Sequence, residues 1–159
     1  MAMSPFLAEL RAAVGGRLLV LPSVTACVFD AEGRLLLARH GDVGKWATPG
    51  GGIDPDEQPQ DAVVRELREE LSVEASVRGL IGVYGGPDFR THYPNGHEVA
   101  YVIAAYVCVL TGAATPTPDG EEINDFTWAL PGDLAALDMT AWSPHVLPDA
   151  YAWWRQHGG

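Results

Sequence analysis

The chain has 159 residues, 47% of them hydrophobic and 19% charged, the balance of a folded unit with a real core rather than a disordered or fibrous chain. Its 21 acids outnumber its 10 Lys and Arg, for a net charge of −11, which excludes the basic surface that bulk nucleic-acid binding needs. A small phosphorylated ligand remains compatible, because a bound cation supplies positive charge locally.

In chain order, Ser4-Pro5 reads as an N-cap followed by a first helical residue. Phe6, Leu7, Leu10 and Val14 then recur at helical spacing until Gly15-Gly16, which predicts a helix over Pro5–Val14. Residues 18–21 and 24–29 read as strand, broken at Pro22. A turn at 30–33 and a strand at 34–39 suggest a hairpin. Residues 41–49 read as loop, the glycines Gly50 to Gly52 follow, and 54–58 continue as loop. Pro59 opens a helix over Pro59–Leu71, with Ala62, Val63, Leu67 and Leu71 on its apolar side. Strands are expected at 77–84, 99–110 and 123–128, the second long and central, with loops at 85–97 and 111–120. Two short helices close the chain, at 131–137 and 144–156, the latter capped by Ser143. Strands, helix, strands, helix is the order of a mixed α/β fold with a sheet between helices. There is no internal repeat and no domain boundary, so one domain over residues 1–159 is expected.

The two cysteines, Cys27 and Cys108, sit in apolar runs and read as buried free thiols. Two cysteines make no disulfide framework, and the N-terminus lacks a secretory pattern, so a reducing, cytoplasmic setting is expected. No apolar stretch reaches membrane-spanning length, and no membrane partner is expected.

The chemistry concentrates between Gly51 and Val73. Glu66, Glu69 and Glu70 have the i, i+3, i+4 spacing that puts side chains on one helix face, beside the stripe of Val63, Leu67 and Leu71. Clustered carboxylates repel unless a cation sits among them or some stay protonated. Oxygen-only ligands favour hard cations, hence Mg²⁺ or Mn²⁺. Glycines at 50–52 let backbone approach a metal or phosphate with no Cβ in the way. A bare Arg-Glu-x-x-Glu-Glu is more often a solvated face with Arg65 and Arg68 as partners. The longer pattern shifts that balance: Gly51, Glu57, Arg65, Glu66, Glu69 and Glu70 co-occur by chance about once per ten million start sites.

These residues resemble the box of the Nudix hydrolases, matching at Gly51, Glu57, Arg65, Glu66, Leu67, Glu69, Glu70 and Val73, with Trp46 and Pro49-Gly50-Gly51 similar to the family's lead-in. Ser72 departs from it, standing where the family has Gly. The resemblance implies an α/β/α sandwich with a mixed sheet. It also implies Mg²⁺-dependent hydrolysis of a nucleoside diphosphate linked to another group, such as a nucleoside triphosphate or a nucleotide-diphosphate compound. By the same resemblance, Glu66, Glu69 and Glu70 hold the metal with the Gly50 carbonyl, Arg65 orients the glutamates, and Glu57 supports them. The general base is either a glutamate of the box or a later one. Glu122 is the later candidate and Glu98 a weaker one. A left-handed Ser72 at the helix end costs about 1 kcal/mol over Gly.

Outside the box, the loop of Asp88, Phe89, Arg90, Thr91, His92 and Tyr93 mixes aromatic and basic groups. Phe89 and Tyr93 are candidates to stack a base and Arg90 to contact phosphate. The five histidines read as surface residues, and Trp142, Trp153 and Trp154 as packing or dimer contacts. A homodimer is the family-based expectation. Alternatives are an ADP-ribose or nucleotide-sugar pyrophosphatase, a non-catalytic nucleotide sensor, and an isomerase on the same fold. The intact carboxylates weigh against the sensor, and the absence of an obvious Cys-centred site against the isomerase.

Overall fold

The computed structural model describes residues 3–158. Helix α1 (Pro5–Val14) starts as expected, with Ser4 Oγ accepting from the Leu7 N–H at 3.2 Å. Arg11 fastens its far end: the guanidinium donates to the carbonyls of Gly15, Arg17 and Glu98. The first two bonds hold the turn that leaves the helix, and the third docks the helix on the sheet.

Strand β1 (Leu19–Val28) runs straight through Pro22, against the expected break. The reason lies in which side needs the missing N–H. Pro22 turns its carbonyl toward Ile53, away from its parallel neighbour, and the antiparallel partner on that side covers only Ser23 to Thr25. Proline is tolerated in a strand where no ladder partner waits.

β2 (Leu35–His40) does not form a true hairpin with β1. The two touch through a single bridge, Phe29 to Leu35, and then enter different sheets. One sheet has the order β4–β1–β7–β5, with β4 (Gly50–Gly52), β5 (Ala75–Tyr84) and β7 (Glu98–Leu110); the short β6 (Arg90–His92) also pairs with β7. β1 and β7 are parallel and the other pairings antiparallel, so the sheet is mixed. The second sheet is β3–β2–β8, with β3 (Trp46–Ala47) and β8 (Ile123–Ala129). β3, β4 and β6 lie in segments read as loop, because two or three residues carry no detectable alternation.

Helix α2 (Pro59–Leu71) has the predicted bounds. It packs on Val24, Ala26 and Val28 of β1 and Leu36 and Ala38 of β2. Cys27, Phe29, Leu35 and Leu37, which alternate with them, face α3 (Ser143–His157) on the other side. Both sheets therefore share a middle layer between helices, which is the expected sandwich. Strands covered on both faces read as unbroken apolar runs, as β1 and β2 do. The segment Pro131–Ala136 is a 3₁₀ helix, and Ser143 is the first residue of α3 rather than its cap, its hydroxyl bonded to Thr140 instead. No helix among the described residues is long and apolar enough to cross a membrane.

Candidate active site

α2 buries Ala62, Val63, Glu66, Leu67, Glu70 and Leu71, so two glutamates lie within its packed stripe. Glu66 is 8% exposed and Glu70 2%. Glu69 instead points outward, with its side chain 59% exposed. The three carboxylates do not form one equal cluster: two are drawn inward and the third rides on the rim.

Arg65 organises this end of the helix. Its Nε and Nη2 bind both oxygens of Glu57 at 2.7 and 3.0 Å, and Nη2 also donates to the Gly52 carbonyl at 2.9 Å. Nη1 reaches Glu66 at 2.9 Å and Glu69 at 3.2 Å. All five N–H groups of the guanidinium thus have acceptors. Glu57 is held below its usual carboxylate range chiefly by these bonds, and it also accepts from the Asp54 N–H. Glu57 therefore ties the loop to the helix through Arg65.

The glycines fit tightly at two positions. A Cβ on Gly50 would overlap the Val24 carbonyl across the β1–β4 ladder, and one on Gly51 would overlap the Glu66 carboxylate. Gly52 has open space around it. The Gly50 N–H donates to Glu70 at 3.1 Å, and Ser23 Oγ holds the Gly51 carbonyl at 2.7 Å. Thr25 and Thr48 bond through their hydroxyls at 2.6 Å behind the turn. This hydroxyl scaffold has no sequence signature, since Ser and Thr within an apolar strand look like ordinary strand residues.

Burial pushes Glu66 up to about 7, with Glu69 and Glu122 raising it further against the pull of Arg65. Burial also lifts Glu70 well above its ordinary value, and the charges of Glu66 and Glu122 add to that. Among the described residues no Lys or Arg forms an ion pair with Glu70. Glu122, half-buried just before β8, therefore belongs to the same electrostatic unit.

Glu70, Glu122, Gly50 and Gly51 line a cleft of about 430 Å³, together with Arg90 and Tyr93. That volume suits a nucleotide-sized ligand. Arg90 is paired with Glu98, and the Tyr93 hydroxyl with that of Tyr101 at 2.5 Å. Phe89 is a correction: at 3% exposure its ring is packed beside Tyr84, Trp142 and His145, with no face open for stacking. His40 is a second. It is half-buried rather than fully at the surface, its Nε2 is shut from solvent with no hydrogen-bond partner among the described residues, and burial lowers its pKa. Glu98 is spent on Arg90 and His92. Trp154 stacks on Phe29 and Trp153 on His157, so both pack within the fold.

The donor chemistry suits a hard cation: oxygen ligands only, two buried carboxylates that repel, and a turn free of Cβ atoms. Among the described residues no three acids, histidines or cysteines converge as a ready-made metal cluster, and Glu69 is bonded to Arg65. Both cysteines are buried, with Cys108 pushed up to about 12 and Cys27 higher, so neither offers the accessible thiolate of cysteine-centred chemistry.

Comparison with known proteins agrees with this architecture. Nucleoside triphosphatase NudI of Escherichia fergusonii is 33% identical over 125 residues, 74% of this chain and 87% of that protein. An RNA pyrophosphohydrolase of Gluconacetobacter diazotrophicus is 44% identical over 79 residues, 44% of this chain and 45% of that protein. The structure of a UDP-X diphosphatase superposes with a TM-score of 0.70 at 19% identity, covering 96% of this chain and 71% of that one. An ADP-ribose pyrophosphatase of Streptococcus suis gives 0.67 at 23% identity, covering 86% and 93%. These two structural likenesses speak to the fold alone. The NUDIX domain profile matches residues 20–150, a span that holds the glutamate helix, the glycine turn and both sheets, and the chain belongs to the Nudix family.

Proposed function

We propose that this Nudix pyrophosphohydrolase cleaves the phosphoanhydride of a small nucleotide, with a nucleoside triphosphate as the leading substrate and Mg²⁺ (or Mn²⁺) as cofactor. One observation carries the reading: Glu66 and Glu70 are buried one helical turn apart, Glu70 lines the cleft, and among the described residues the Gly50 N–H is the hydrogen-bond donor to the Glu70 carboxylate. Such a pair is costly unless protonated or joined by a cation. Glu66, Glu70 and the Gly50 carbonyl would hold the ion, completed by Glu69 or Glu122. Bound there, a divalent cation supplies Lewis acidity and makes water a better nucleophile.

The protein's own groups do the rest. Arg65 fixes Glu66 and keeps the glycine turn against the helix. Glu122 accepts the proton of the attacking water. Arg90 exchanges Glu98 for a substrate phosphate, and Tyr93 lines the nucleoside side of the cleft. A nucleoside triphosphatase is matched over 87% of its own length, which favours triphosphates over ADP-ribose or nucleotide sugars. A net charge of −11 weighs against a long RNA as substrate.

The test is a panel of nucleoside triphosphates, ADP-ribose and nucleotide sugars with Mg²⁺, with products identified. Hydrolysis of a triphosphate to the monophosphate and pyrophosphate is expected. Tight binding without turnover of any member would overturn the enzymatic reading in favour of a sensor.

A further inference from the structure

The loop before β8 is built around one side chain that none of the roles above uses. Asp119 Oδ1 accepts from three backbone N–H groups, those of Glu121, Glu122 and Ile123, at 3.0, 3.1 and 2.9 Å. Gly120 makes the bend possible at φ +81°, and its own N–H bonds the Ile123 carbonyl at 2.9 Å. On the other side, the Glu122 carbonyl accepts from the Gly41 N–H at 2.8 Å. The Glu122 peptide is thus gripped at both its N–H and its C=O.

The same residue also reaches α2. The Asp119 N–H donates to the Glu70 carbonyl at 3.0 Å, and two residues earlier the Thr117 N–H donates to the Leu71 carbonyl at 2.8 Å. The last carbonyls of a helix have no partner within it. Here the loop supplies them, and the helix end becomes the anchor for the loop. One residue therefore connects the backbone of Glu70 to the backbone of Glu122, the two acids that meet across the cleft.

We propose that Asp119 is a positioning residue: its backbone sits on Glu70, its carboxylate holds the peptide of Glu122, and together they set where the Glu122 side chain stands relative to Glu70. The inference rests on the reading of Glu122 as the proton acceptor or metal ligand. A carboxylate accepting three N–H groups is a strong and directional clamp. Misplacing a reacting group by about 1 Å costs on the order of a hundredfold in rate.

The test is a double-mutant cycle on the purified full chain with Mg²⁺ and its best substrate, with amide hydrogen exchange measured in parallel. Asp119→Ala should lower kcat about ten- to a hundredfold and change KM little. Asp119→Asn, which keeps an acceptor oxygen in place, should recover most of the rate. In a Glu122→Gln background, Asp119→Ala should add almost no further loss, because it acts through the group already removed. Exchange of the amides of Glu121, Glu122 and Ile123 should speed up in Asp119→Ala and stay slow in Asp119→Asn. A kcat within twofold of wild type, or losses that add across the two sites, would overturn the proposal even with the fold intact. An inert wild type would instead defeat the hydrolase reading, and the exchange data would still decide whether Asp119 holds the loop.

Discussion

Removing metal should make this protein less stable as pH rises, which is the reverse of ordinary acid denaturation. Glu66 is lifted from 4.5 to about 7 by burial. A carboxyl with a raised folded pKa prefers its proton in the native state. Its stabilising effect is complete below about pH 4.5 and is lost as pH climbs through about 7. A rise of that size corresponds to about 3 kcal/mol. Glu66 is 8% exposed, so solvent screening takes away little of it. Glu70 shifts in the same direction and adds to the slope. Two groups pull otherwise. Glu57 is depressed, but its window lies below that of Glu66. His40 is also depressed, so near its titration it favours folding as pH rises. The assay is urea unfolding in a chelator from about pH 5 to pH 8 for wild type and Glu66→Gln, a comparison that cancels His40 and Glu57. With an m-value of about 2 kcal/mol/M, the wild-type midpoint should fall roughly 1 to 1.5 M more than that of the variant. Mg²⁺ should flatten the wild-type slope. Equal slopes in the two proteins would show that the buried glutamate carries no such penalty and would refute the reasoning.

Three further outcomes are expected. Glu70→Gln should cut kcat at least a hundredfold while raising metal-free stability at neutral pH, since a neutral amide still accepts from Gly50; near-normal turnover would sink the assignment of the helix. Ser72→Gly should raise Tm by about 2 °C, because Ser72 is left-handed at φ 54°, exposed and held only by its own N–H to the Arg68 carbonyl; calorimetry checks it, and an unchanged or lower Tm counts against the strain argument. Gly51→Ala should impair activity far more than Gly52→Ala, as a Cβ meets the Glu66 carboxylate at the first position and open space at the second; equal effects would remove the steric case.

The regular parts of the fold were legible wherever a residue pattern ran long enough to declare its period. α1 and α2 have their predicted bounds, since proline at the start and apolar spacing agree with each other. β3, β4 and β6 stayed hidden because their shape comes from neighbours: Gly50 to Gly52 become a strand only because β1 lies alongside. The spacing in the box treated Glu66, Glu69 and Glu70 as equals. Which face is buried depends on where the sheet lies, and that separates Glu69 from the other two. Phe89 was misjudged for a similar reason, since an aromatic in a loop looks available until Trp142 and Tyr84 close around it. Asp119 carried no signal at all, because its partners are backbone groups and those have no letter in the sequence.

The corner where β1 leaves one sheet and β2 enters the other has a mechanical consequence. Glu66 and Glu70 lie on α2, which packs against strands of both sheets, while Glu122 sits just before β8 in the second. Among the described residues the Phe29–Leu35 bridge is the strand pairing that joins those sheets. The two loop bonds onto the carbonyls of Glu70 and Leu71 tie the helix that carries Glu66 and Glu70 to the loop that carries Glu122, across that corner.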